Sequence, residues 1–89
     1  MKKRVAVIVT DRQHEALRMA VGLTLADNRV SVFVMGRALE KGEMTDLNLQ
    51  SLAEMGADIF STMPVNGLLL LSTDEIARKL EGYDAVIPY

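Results

Sequence analysis

Arg4-Val5-Ala6-Val7-Ile8-Val9, running directly into Thr10-Asp11-Arg12-Gln13-His14, is the stretch that decides the fold. After Arg4 the run is apolar at every position and rich in β-branched side chains, whose restricted χ1 suits a pleated strand. Without polar alternation, such a strand needs cover on both faces, as in a parallel sheet. Thr10 with Gln13 three residues later matches a capping box, so a helix is expected over 12–28. A strand fed straight into a helix is the opening half of a βαβ unit.

Working outward, the first helix carries two neighbouring apolar stripes, Leu17/Ala20/Val21 and Ala16/Met19/Leu23/Ala26, with a narrow polar strip at Glu15, Arg18 and Gly22. One sheet face covers one stripe. The other requires either a second subunit or a second helix of the same chain. VSVFVM over 30–35 reads as the next strand, closed by Gly36-Arg37, and residues 38–44 as an exposed connection. Thr45 or Asp46 is the expected cap of a second helix with Leu49, Leu52, Ala53 and Met55 inward and Gly56 at its C′ position. A third strand is expected at 57–61 and, because of Pro64 and Asn66-Gly67, a loop at 62–67. Leu68 to Leu71 forms a short fourth strand. Ser72-Thr73-Asp74-Glu75 then caps a helix over 73–81 with Ile76, Ala77 and Leu80 inward, a Glu75/Lys79 pair and Gly82 as its stop. DAVIPY, 84–89, closes the chain as a strand with Pro88 at its end. The order β-α-β-α-β-β-α-β predicts a single α/β domain over 1–89, with a parallel sheet and helices on both of its faces.

Composition narrows the function. The chain has 89 residues, 49% hydrophobic and 25% charged, as in ordinary globular domains. Its net charge of -2 is scattered, and its few aromatics, Phe33, Phe60, Tyr83 and Tyr89, make no base-stacking platform; no nucleic-acid partner is expected. Met1-Lys2-Lys3-Arg4 is basic, but the apolar run after it is too short for a signal peptide, and no stretch approaches the ~20 residues of a membrane span. A cytoplasmic location and no membrane partner are the expectation. With no cysteine, the chain has no thiolate nucleophile, redox dithiol or disulfide. Small domains bury only about 60% of their unfolded surface, so association with further subunits adds burial.

Open parallel sheets bind ligands beyond the carboxyl ends of their strands. Residues 10–14, 35–37 and 62–67 therefore frame the expected site, with ligand-binding candidates Asp11, His14, Arg37, Thr62 and Asn66. Asp11 and His14 offer acid/base groups, Arg37 an anion contact, and Ser61 or Thr62 a hydroxyl. An enzyme using Thr62 as nucleophile, His14 as base and Asp11 to orient it is the alternative function. No nucleophile-elbow motif accompanies these residues, so no catalytic residue is assigned. The lone His14, with Asp11 or Glu15, does not complete a metal site unless three copies converge on a trimer axis. The turn after the first strand has no glycine, which removes the dinucleotide and P-loop readings; no cofactor is expected. Met19, Met35, Met55 and Met63 read as core filler.

The opening strand and long apolar helix, VSVFVMG, the Gly56-Ala57-Asp58-Ile59-Phe60 strand, the short strand ending at Ser72 and the closing helix with DAVIPY resemble the DsrE/DsrF-like family of small sulfur-relay proteins. The likeness covers nearly the whole chain and rests on hydrophobic patterns and helix caps. It implies a three-layer α/β/α sandwich with a five-stranded parallel sheet, assembled as a homo-oligomer, a trimer or hexamer, or as a hetero-oligomer with a DsrE-like paralogue. Active members carry a persulfide-bearing cysteine after the third strand. Here that position falls at Thr62, or within 61–63, and holds no cysteine. A hydroxyl holds no persulfide, so the resemblance implies a non-catalytic scaffold, partner-binding or small-ligand-binding subunit in intracellular sulfur metabolism.

Overall fold

The computed structural model describes residues 3–64 and 68–89. Its elements in chain order are β1 (Arg4–Val9), α1 (Gln13–Leu25), β2 (Arg29–Val34), α2 (Glu43–Glu54), β3 (Asp58–Ser61), β4 (Leu69–Leu70), α3 (Thr73–Leu80) and β5 (Ala85–Pro88). The five strands form one all-parallel sheet in the order β4-β3-β2-β1-β5. The expected order of elements is therefore observed, and β1 has the expected bounds. The chain steps from β1 to β2 to β3 through α1 and α2, and α3 then carries it from β4 at one edge to β5 at the other.

The uninterrupted apolar strands make sense in this sheet. Val5, Val7 and Val9 of β1 and Val30, Val32 and Val34 of β2 pack with Ala16, Leu17 and Ala20 of α1 and Leu52 of α2. The intervening Ala6 and Phe33, with Phe60 of β3, pack instead with Ile76 of α3. Alternate side chains of one strand thus enter two separate clusters, which is why both sets are apolar. Phe33 anchors the second cluster, stacked on Phe60 at 5.1 Å and edge-on to Tyr83 at 5.7 Å. Burying each such side chain contributes about 1.5–3 kcal/mol.

The breadth of α1's apolar surface has an explanation within the chain. The helix lies against β1 and β2 and also against α2. Val21 and Leu23 are half-buried against the same cluster, while Leu25 at the end of the helix is 74% exposed.

Local expectations fail where a side chain finds a better partner at a distance. Thr10 does not cap α1: its hydroxyl donates to the Tyr89 carbonyl, fastening the end of β1 to the chain's last residue. The helix begins at Gln13 behind Arg12, with no side-chain cap, and ends at Leu25 rather than 28. α2 begins at Glu43 behind Gly42, so Thr45 is buried inside the helix instead of capping it. Glu43 and Asp46 in the first turn face the positive end of the helix dipole. Leu39, in the connection expected to be exposed, is buried in the first cluster. At α3 the capping box forms as expected: the Ser72 hydroxyl accepts from the Glu75 amide, and the Glu75 carboxylate accepts from the Ser72 amide, each at 3.1 Å. The bond from the Ser72 amide, and after it the Ser72 side chain, hold the Glu75 carboxyl below its ordinary value. Glu75 is thereby turned away from Lys79, whose ammonium sits over the Phe60 ring at 5.0 Å. Gly56 ends α2 at a φ of +83°, the left-handed conformation expected of a C′ glycine.

Candidate functional site

Three segments meet at the carboxyl end of the sheet, and backbone bonds fix their positions. The Thr10 amide donates to the Tyr89 carbonyl, the Met35 amide to Val9 and the Thr62 amide to Val34, so the turns after β1, β2 and β3 leave the sheet side by side. The candidates on these turns do not converge on one another as a catalytic set. His14 is exposed on the first turn of α1, and among the described residues no hydrogen bond links it to Asp11 or Thr62. Asp11 faces Arg37 at 3.4 Å, and Arg37 also lies 3.7 Å from Glu40. Two carboxylates around one guanidinium leave that corner negative, which disfavours the anion contact expected of Arg37. Both ion pairs are exposed and contribute little to stability. Thr62 is half-buried. The neighbouring Ser61 is fully buried, and its hydroxyl accepts from the Met63 amide within its own turn. Asn66 lies outside the described residues.

The residue that organises this end is Gln13, which the sequence reading assigned to a cap. It is buried, its amide nitrogen donating to the Ala38 carbonyl at 3.0 Å and its oxygen accepting from the Glu40 amide at 2.8 Å. Gln13 therefore ties the β2–α2 connection down over the start of α1. Beside this connection lies an open hollow of about 490 Å³, bordered by Leu39, Lys41, Asp46, Leu49 and Pro64 among others. Of the five sequence candidates, none of those described borders it.

The amino end of the sheet holds a second cavity, of about 450 Å³, with walls that are almost entirely polar. Arg4, Arg29, Ser31 and Asp58 reach it from the starts of β1, β2 and β3, and Lys79 and Tyr83 from α3 and the turn after it. Sequence reasoning passed over these residues because they stand at the wrong end of the strands for the usual rule. The available signal was a charged residue opening each of β1, β2 and β3, together with Ser31, a polar position within the apolar run of β2.

Among the described residues, no group of three or more His, Asp or Glu side chains is placed to hold a metal ion, and no helix is long and apolar enough to cross a membrane. Compared with known proteins, the chain matches no family model, no curated protein and no solved structure.

Proposed function

We propose that the chain is a DsrE-like α/β/α sandwich without the family's cysteine, working in the cytoplasm as a non-catalytic oligomeric scaffold or binding subunit in sulfur metabolism. The observation that carries this reading is the open edge of the sheet. Leu69 and Leu70 of β4 are 57% and 61% exposed, and β4 pairs with β3 on one side only, leaving its other backbone edge without a strand among the described residues. Exposed apolar edge strands are ready templates for pairing with another chain. On α2, Met44 and Leu47 are also more than half exposed, and the buried Asn48 Nδ2 meets no acceptor among the described residues. The absence of cysteine and the dispersal of Asp11, His14 and Thr62 favour binding over group transfer at the carboxyl end.

Native mass spectrometry tests the reading. A trimer, a hexamer or a hetero-oligomer with a cysteine-bearing paralogue is expected, and Leu69→Lys together with Leu70→Lys is expected to reduce the subunit count. A monomer at high micromolar concentration, with no partner retained from the native host, would contradict it.

A further inference from the structure

The amino-end cavity concentrates positive charge in a chain that is negative overall. Arg4 and Arg29 are register partners on adjacent parallel strands, so two guanidinium side chains leave the sheet next to each other. Like charges in that relation repel, and a fold keeps them side by side at a cost to its stability. Arg4 is fixed in place: its Nη1 donates to the Gly82 carbonyl at 2.8 Å and its guanidinium lies 4.8 Å from the centre of the Tyr83 ring. The Arg29 and Lys79 side chains line the same cavity, and neither forms an ion pair with a carboxylate among the described residues. Tyr83 donates to the Ser31 hydroxyl at 2.7 Å, and both residues border the same cavity. Asp58, the register partner of Ser31, supplies the one carboxylate in the lining.

The C-terminal ends of α1 and α2 border the cavity through Thr24, Asn28, Met55, Gly56 and Ala57, so their negative dipole ends balance part of this charge. The carbonyls of Gly22, Leu23 and Thr24 in α1 and of Ser51, Leu52 and Ala53 in α2 already accept backbone amides and do not bond the cations. The lining carries three cations against one carboxylate, with the Asp84 carboxylate accepting from the Arg4 amide at 2.7 Å beside it, and this surplus of positive charge suits a phosphate. Guanidinium forks suit the tetrahedral oxygens of such a group. The cavity is much larger than a phosphate, and Asp58 is an acceptor suited to a hydroxyl on the remainder of the ligand.

We propose that this cavity binds a small phosphate monoester, its phosphate held by Arg4, Arg29 and Lys79 and a hydroxyl of its carbon skeleton accepted by Asp58. None of its lining residues belongs to β4, and the site stands independently of the proposed assembly. Isothermal titration of the full chain with inorganic phosphate and with ribose 5-phosphate tests it, with sodium chloride at matched ionic strength as the control. Saturable binding of ribose 5-phosphate is expected, with a dissociation constant of about 1 mM or tighter. Arg29→Gln and Lys79→Gln are each expected to weaken it by about tenfold or more, while Arg37→Gln leaves it unchanged. Both altered side chains are exposed, so the two variants are expected to keep the wild-type circular dichroism and subunit count. The proposal is overturned if neither phosphate compound gives saturable heat beyond the chloride control, or if folded Arg29→Gln and Lys79→Gln bind as the unaltered chain does.

Discussion

The two ends of the sheet handle charge in opposite ways. At the carboxyl end Arg37 stands between Asp11 and Glu40, so its cation is neutralised by its own neighbours. At the amino end Arg4 and Arg29 stand beside each other, and Lys79 adds a third cation against the single carboxylate of Asp58. The carboxyl end is organised by a buried amide, Gln13, whose bonds are all spent on the chain itself. Arg29 and Lys79 form no ion pair among the described residues, and they lie at the end where open α/β sheets seldom bind a ligand.

The contrast can be broken most severely through the cluster that supports the amino end. Phe33→Ala removes the ring against which Tyr83 and Phe60 pack, and is expected to cost about 3–5 kcal/mol in urea unfolding. A loss near that of an exposed residue would mean that this cluster does not carry the α3 side of the sheet. At the other end, Gln13→Ala releases the Ala38 carbonyl and the Glu40 amide to water, with an expected loss of about 0.5–1.5 kcal/mol for each bond removed. Hydrogen exchange at the Glu40 amide should accelerate with it; an unchanged rate would deny Gln13 its anchoring role.

Ser72→Ala is expected to cost about 1 kcal/mol through the lost cap of α3. The same box gives a pH dependence whose sign is fixed. The Glu75 carboxyl is lowered in the folded chain, so its contribution is present above the ordinary glutamate value and is lost as pH falls through the lowered one. Unfolding curves of Glu75→Gln should therefore lose less stability on acidification than those of the unaltered chain.

The smallest effect has the opposite sign. In phosphate-free buffer Arg29→Gln relieves the repulsion from Arg4 and is expected to raise stability by about 0.2–1 kcal/mol. A destabilised variant would show that Arg29 already has a favourable partner in the ligand-free chain.

The fold was legible because its decisive signals are local and repeated. RVAVIV, the Ser72/Glu75 capping box and Gly56 each specify a conformation without help from distant residues, and all three are observed. Thr10, Gln13 and Thr45 misled because each is an ordinary capping residue by type. Their partners, Tyr89 for Thr10 and the Ala38 to Glu40 connection for Gln13, lie far along the chain or on another element. The amino-end cavity was hidden for a similar reason: Arg4, Arg29, Asp58 and Lys79 are unremarkable in sequence and become a cluster only through parallel register.

The most direct test of this contrast is an amide chemical-shift map of the isotope-labelled chain during titration with ribose 5-phosphate at constant ionic strength. Saturable shifts are expected at Arg29, Ser31, Asp58 and Tyr83, with Asp11, His14, Arg37 and Thr62 unmoved. Shifts confined to the carboxyl-end residues, or no saturable shift at the amino end, would contradict it.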